Sequence, residues 1–305
     1  MTGPAAPSTA YAAELLTETS DLEVSVDANG LVTIVPKNGA IGVAEVVFRV
    51  GPTAASLVPS STGTYDESKI DSQVVMIHIP PATPTIKLAP GMDTGVIDGS
   101  TNRDNSEDKT LEFNIYGLAA ASALKIHLNG VEVPHQEISR IAQGDGSANY
   151  VATIRLATGS RLSDGEYILQ AQQVLPLGEA YGNQVLPSDL SAPFLFTVDT
   201  EAPPITSAPV TDAYLGELYE YNAESPEEGE ENILYQLESP VPAGMVIDPS
   251  TGVITWTPTA DDVADHPIVV LIRDGAGNEG SQQFTLSVFS PVEVGIQGET
   301  IVDEL

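Results

Sequence analysis

The chain contains no cysteine. That removes disulfides, thiolate nucleophiles and thiolate metal sites, and leaves 4 scattered histidines as the only soft metal ligands. Basic residues are nearly as scarce: Lys+Arg number 11 against Asp+Glu 43, a formal net charge of -32. A field of that sign repels phosphate backbones and anionic lipid surfaces, which excludes nucleic acid as a partner and the membrane surface as a site of action. No stretch reaches the roughly 18 apolar residues of a membrane span, so membrane insertion is not expected. Aromatics are 6% of the chain with a single tryptophan, a poor endowment for a sugar cleft. What is abundant is carboxylate, whose natural partner is a hard cation such as calcium.

Hydrophobic residues make up 42% of the 305 residues, enough for a real core, while 26 Gly and 23 Pro suit short strands joined by many turns. Period-two alternation dominates. Its sharpest instance is Leu124-Lys125-Ile126-His127-Leu128, then Asn129-Gly130, then Val131-Glu132-Val133. Asn-Gly accepts the positive φ of a type I′ turn, so a hairpin is predicted with Leu124, Ile126, Leu128, Val131 and Val133 facing the core. Further strands are predicted at 31–35, 45–50, 73–79, 111–116, 150–156, 166–172, 193–198, 219–223, 233–237, 253–257, 268–273 and 282–288, and only Tyr11–Leu16 hints at a helix. Two proline-rich joints, Pro80-Pro81-Ala82-Thr83-Pro84 and Asp199-Thr200-Glu201-Ala202-Pro203-Pro204, divide the series into 1–82, 83–200 and 201–289 with a tail, 290–305. Proline fixes φ and lacks a donor, so these joints read as semi-rigid connectors carrying few contacts, and the middle segment is expected to melt on its own.

The third segment resembles the Ig-like, dystroglycan-type cadherin-like repeats of bacterial surface proteins. The residues that carry the likeness are Ile205–Pro209, Gly216, Tyr219 and Tyr221, Tyr235-Gln236-Leu237, Pro242–Asp248, Thr251–Pro258 around Trp256, and Asp274-Gly275-Ala276-Gly277-Asn278. It departs from the family at 224–231, where glutamates stand in place of an aspartate-rich loop. The second segment is similar to the bacterial Ig-like repeats of large adhesins through Asp93–Val96, Asp98-Gly99, Asn102, Asp104-Asn105, the 124–133 hairpin, Leu162–Tyr167 and Phe196–Thr200. The first, through Val26–Pro36 and Asp71–Val74, looks like the back half of a related repeat. These resemblances imply tandem all-β Greek-key sandwiches in an elongated array, on the order of 100 Å for three units end to end. Met1–Ala5 has neither the basic nor the apolar region of a secretion signal. Either the protein is cytoplasmic or it is a piece of a longer secreted or cell-surface protein, cut without its signal peptide; the second is the expectation, because the resemblance begins in mid-repeat.

For catalysis the sequence offers little. His78 and His127 sit in alternating strands, His127 on the solvent side, and all the histidines read as structural. Lys87, Lys109 and Lys125 read as surface residues rather than partners in isopeptide crosslinks. The glutamates of 224–231 read as a solvated loop. The aspartates of 93–104 differ, because Gly and Thr space them as in loops that fold around a cation. In an Ig-type sandwich the loops 91–109 and 162–165 lie at the pole where the middle segment ends, and 224–232 and 274–280 at the pole where the third begins. Asp93, Asp98, Asp104, Asp164, Asp199, Glu201 and Asp274 are therefore expected to converge on the second joint and hold calcium; solvated turn aspartates are the competing reading.

The function these features imply is non-enzymatic: a calcium-stiffened extender in a cell-surface or extracellular adhesin, with neighbouring repeats as its first partners and a surface protein or polysaccharide as a further one. The alternative is a carbohydrate- or protein-binding accessory module of a secreted enzyme, which a strip of exposed aromatics would favour. An enzyme would require a cleft with perturbed titrating groups.

Overall fold

A computed structural model of the protein describes residues 12–15, 22–26, 32–37, 40–51, 71–96, 98–144, 149–157, 161–227 and 232–290. Among the described residues every regular element is a strand, apart from short 3₁₀ turns at Glu179–Tyr181 and Ala260–Asp262. The chain packs as two compact units. Met1–Ala89, Glu112–Ala157 and Ile168–Leu195 form the first; Pro90–Leu111, Thr158–Tyr167 and Phe196–Leu305 form the second.

The first strands are β1 (Ala12–Leu15), β2 (Leu22–Val26), β3 (Val32–Pro36), β4 (Gly42–Gly51) and β5 (Asp71–Ile79). They form a sheet in the order β1-β4-β5 and a β2-β3 pair around a small core of Leu22, Val46 and Ile79. The helix hinted at over Tyr11–Leu16 is instead β1, paired antiparallel with Phe48–Gly51 of β4. A handful of good helix formers gains only tenths of a kcal/mol per residue and cannot offset nucleation, whereas the edge of β4 offers a ready ladder.

The next strands are β6 (Thr85–Leu88), β7 (Ser100–Thr101), β8 (Glu112–Leu118), β9 (Ala123–Leu128), β10 (Val131–Val133), β11 (His135–Ala142), β12 (Tyr150–Leu156), β13 (Gly165–Pro176), β14 (Val185–Pro187) and β15 (Phe194–Val198). They build a sandwich of two sheets, β11-β12-β8-β6 and β10-β9-β13-β15-β7, with β14 added to β13. Alternate residues point inward: Phe113 and Ile115 of β8, Ile126 of β9, Ile154 of β12 and Leu169 of β13 are all fully buried. Phe113 meets Phe194 edge to face across the sheets at 6.3 Å.

Asn129 (φ 48) and Gly130 (φ 80) make the predicted two-residue turn, with Val131 opposite Leu128 and Val133 opposite Ile126. The predicted depth is wrong at its tip. Leu124 and Ile126 are buried, but Val131 is 65% exposed and Leu128 and Val133 are half-buried. β10 is the edge of its sheet, so alternation names the face without supplying a cover. His127, expected on the solvent side, is half-buried with Nδ1 enclosed and unbonded. β11 was invisible to alternation because its apolar residues, Ile138 and Ile141, are three apart. A bulge between Glu137 and Ser139 resets the register there.

Gln173 of β13 is completely buried and acts as a hub. Its Oε1 accepts from the Ala119 amide at 2.9 Å, and its Nε2 donates to the carbonyls of Gly117 (3.0 Å) and Ala82, tying the first proline joint to the sandwich. The hydroxyls of Ser191 and Ser188 accept from the Ala171 and Gln173 amides at 3.0 and 3.1 Å, satisfying strand donors where β14 has ended.

The last strands are β16 (Asp212–Tyr214), β17 (Tyr219–Asn222), β18 (Leu234–Leu237), β19 (Val246–Ile247), β20 (Val253–Trp256), β21 (Asp265–Arg273) and β22 (Glu279–Phe289). Sheets β16-β22-β21-β18 and β17-β20-β19 enclose a core that includes Tyr219, Tyr221, Ile254, Trp256, Val270, Ile272 and Leu286. Its aromatic rings keep their polar ends bonded. The Tyr219 hydroxyl donates to Val210 O (2.8 Å), the Tyr221 hydroxyl to Gln282 Oε1 (2.7 Å) and Trp256 Nε1 to Ala243 O (3.1 Å). Burial pushes the Tyr219 phenol well above its ordinary range.

Trp256 is 3% exposed and is seated in that core. Trp256→Ala is expected to destabilise the last sandwich by about 3–5 kcal/mol, as emptying a large aromatic site does. Denaturant melts read by backbone circular dichroism measure it; a mutant with the parent's midpoint would place the indole's contribution elsewhere.

Candidate functional site

The second joint is where the sequence expected its carboxylates to meet. β15 ends at Val198, and Asp199–Pro204 leads into the last sandwich. On one side of the joint a corner is fixed by Tyr167, whose hydroxyl donates to Ser163 O at 2.8 Å while the ring stacks on Phe196 at 5.4 Å. Leu162 is buried beneath that corner, and Asp164 sits within it. Asp164 Oδ1 accepts from the Thr200 amide at 3.1 Å and from its hydroxyl at 2.9 Å.

On the other side Asp274 opens the β21-β22 turn. Its Oδ1 accepts from the amides of Ala276 (2.9 Å), Gly277 (2.7 Å) and Asn278 (2.8 Å), and its Oδ2 accepts from Asn278 Nδ2 at 2.8 Å. A short carboxylate at this position replaces water for a run of amides and so sets the turn. The same Asn278 Nδ2 donates to Asp199 O at 2.9 Å, and Asp199 Oδ1 accepts from the Glu201 amide at 3.1 Å.

The electrostatics divide the candidates. Asp199 is pushed above the usual carboxylate range, first by burial and then by the charges of Asp274, Asp164 and Glu201, against a pull downward from the Glu201 amide. Asp93 is raised as well, by burial and by Asp98, against the Gly99 amide. Asp104 goes the other way. Burial acts upward on it, but the Ser106 amide and hydroxyl and the Arg161 guanidinium, 2.6 Å from Oδ2, hold it below the ordinary value.

The structure thus brings Asp164, Asp199, Glu201 and Asp274 into one field, leaves Asp93 and Asp98 acting on each other, and gives Asp104 to Arg161. Arg161 is the residue the sequence reading missed, and nothing in its spacing announced it. Asp104 and Asp274 already have their oxygens engaged by N–H donors, so the expected set does not fit as one shell of about 6–8 oxygens. Among the described residues no three His, Asp or Glu side chains stand together as a group able to hold a metal ion. Of the loops expected to converge, 91–109, 162–165 and 274–280 do so. Glu224 instead bonds back to Thr206 and Ser207, and 228–231 lie outside the described residues. The joint is also richer in contacts than its proline content suggested: the 91–109 loop reaches 274–278 through Thr94, Val96 and Asn102 rather than through carboxylates.

Asp199 and Asp104 should respond to pH with opposite signs. A raised folded-state value means that the folded chain keeps a proton the unfolded chain has released, so ionised Asp199 counts against folding as pH rises through that value. Asp199→Asn is expected to raise the melting temperature at about pH 7 and to change nothing at about pH 2. Asp104, held low, stabilises above the ordinary carboxylate range and loses that contribution as pH falls through its folded value. Asp104→Asn is expected to lower the melting temperature at about pH 7. Melting curves across pH for both variants measure this; shifts of the same sign would contradict the assigned environments.

No curated protein matches the chain. Among solved structures, the human desmocollin-1 ectodomain is 14% identical with a TM-score of 0.24, covering 93% of this chain and 55% of that one. The N-terminal eight Ig domains of Down syndrome cell adhesion molecule are 13% identical with a TM-score of 0.35, covering 92% and 33%. An endo-fucoidan hydrolase of glycoside hydrolase family 107 is 15% identical with a TM-score of 0.26, covering 93% and 39%. The chain spans about half the length of the first of these, 55%. Residues 195–289, from inside β15 through the joint to the end of β22, match the family described as "Putative Ig domain".

Proposed function

We propose that the chain is a non-enzymatic, tension-bearing spacer within a larger cell-surface or secreted protein of the adhesin kind, built from Ig-like and cadherin-like β-sandwiches in tandem. The observation that carries this reading is the parallel pairing of an early strand with the last one in each of two sandwiches. In the last sandwich β16 pairs with β22 in parallel, Asp212 opposite Ser287 and Tyr214 opposite Phe289. In the sandwich before it the first strand, β6, pairs antiparallel with β8, and the second, β7, pairs in parallel with the last, β15, Ser100 opposite Thr197 and Thr101 opposite Val198. A pull on the ends of such a domain draws its parallel terminal strands along their length in opposite directions. Their hydrogen bonds are then loaded together in shear rather than one at a time. That arrangement suits a protein whose task is to hold distance under load.

Calcium enters the proposal in a reduced role. A divalent cation near Asp199, Asp164 and Glu201 would offset the repulsion that raises Asp199, with the weak affinity of extracellular sites, a Kd on the order of 0.1–1 mM. It would act by neutralising charge. Binding to the folded state alone raises stability as RT ln(1 + [L]/Kd), about 1.4 kcal/mol at tenfold excess.

Single-molecule pulling on the full chain tests the spacer reading. The last sandwich is expected to resist as a distinct unfolding event. Leu215→Pro, which deletes the amide that donates to Phe289 O at 2.9 Å, is expected to lower that force. An unchanged force distribution in the variant would overturn the shear argument. Millimolar calcium, against chelator with matched sodium, is expected to raise the melting temperature in the parent and to do less in Asp199→Asn. Identical curves in calcium and chelator would remove calcium from the proposal.

A further inference from the structure

The turn 274–278 between β21 and β22 is buried, although turns at the ends of sandwiches ordinarily sit in water. Asp274 is 7% exposed, Ala276 3% and Asn278 5%. The amides of Ala276, Gly277 and Asn278 are satisfied from within by Asp274. The carbonyls of Asp274 and Asn278 are met within the turn by the Gly277 and Asp274 amides, but the three between them find their donors on the loop 94–102: Gly275 O accepts from the Val96 amide at 3.1 Å, Ala276 O from the Thr94 hydroxyl at 2.8 Å, and Gly277 O from Asn102 Nδ2 at 3.1 Å. The contact is reciprocal, since Arg273 Nη2 donates to Thr94 O at 3.1 Å. Within the loop, the Asn102 amide donates to Thr94 Oγ1 at 2.8 Å, so one hydroxyl both closes its own loop and reaches across.

The backbones meet at glycines. A Cβ on Gly95 would lie 1.9 Å from Gly275 O, and one on Gly277 would lie 2.4 Å from Thr94 O, both inside any tolerable contact with main-chain atoms. No carboxylate makes any of the bonds across this contact. We infer that loop 94–102 is a latch, docked on the 274–278 turn by main-chain complementarity at Gly95 and Gly277 and closed without any cation. The latch residues Thr94, Val96 and Asn102 therefore belong cooperatively with the last sandwich, in accord with the second compact unit. This replaces the expectation that the joint carries few contacts, and it holds whatever the chain binds.

Hydrogen exchange on the full chain tests the latch. The Val96 and Asn102 amides, which would exchange freely in an open loop, are expected to be slowed about a hundredfold or more, equally in calcium and in chelator. Gly95→Ala is chosen because Gly95 lies outside the left-handed region and outside the last sandwich, so its added methyl strikes the contact alone. In that variant both amides are expected to speed up by about tenfold or more, while Ile254 and Val270 of the core keep their protection. If Gly95→Ala does not fold, Thr94→Val serves instead, since it keeps shape and loses the shared hydroxyl. Amides that exchange at open-loop rates in chelator, or that keep full protection in the folded variant, would overturn the inference.

Discussion

Backbone polar groups removed from water must find partners, and at the second joint that requirement organises everything around it. A turn with exposed carbonyls could sit at the end of a sandwich with no help. Once 274–278 is covered, its amides need Asp274, its carbonyls need Thr94, Val96 and Asn102, and close approach needs glycine at 95 and 277. Asn278 extends the same logic into the linker by bonding Asp199 O. The joint is thus a continuation of sandwich packing by main-chain hydrogen bonds, with prolines limiting only how the chain enters it.

Charge works on a different scale. Pairing all 11 basic residues with the 43 acidic ones would still leave a net charge of -32, and among the described residues most carboxylates face water. The exceptions show how environment decides a carboxylate's role. Asp104, nearly buried, has an arginine and an amide and becomes a structural anchor. Asp199, partly buried among like charges, is a cost that the surrounding hydrogen bonds must carry. Two aspartates that the sequence offered as equivalent ligands have their carboxyls shifted in opposite directions.

What could be read in the sequence was whatever repeats every second residue or sits at a turn with special backbone demands. The Asn129-Gly130 hairpin and the alternating strands followed from local rules, while Trp256 and the Leu162–Tyr167 corner were marked by the motifs that resemble known repeats. The misses share a physical cause. β11 is an edge strand with a bulge, so its apolar spacing is not two. Val131 has the right face on an uncovered edge. Gln173 and Arg161 act through partners far away in sequence, the carbonyl of Ala82 and the carboxylate of Asp104, and no spacing encodes such contacts. The latch was missed for the same reason: Thr94 and Asn102 look like any loop residues until the turn they bond is in place. Carboxylate spacing, by contrast, suggested one metal shell where tertiary contacts distribute the same residues among several tasks.

The edge strand β5 carries Val74, Val75 and Met76 exposed in sequence, at 58%, 38% and 43%. Consecutive exposure on both faces of a strand that ends its sheet is the geometry that invites lateral pairing between molecules. At neutral pH the large common negative charge keeps copies apart, a colloidal defence that needs no specific residue. That defence fades as the solution approaches the sequence isoelectric point, near 4.1.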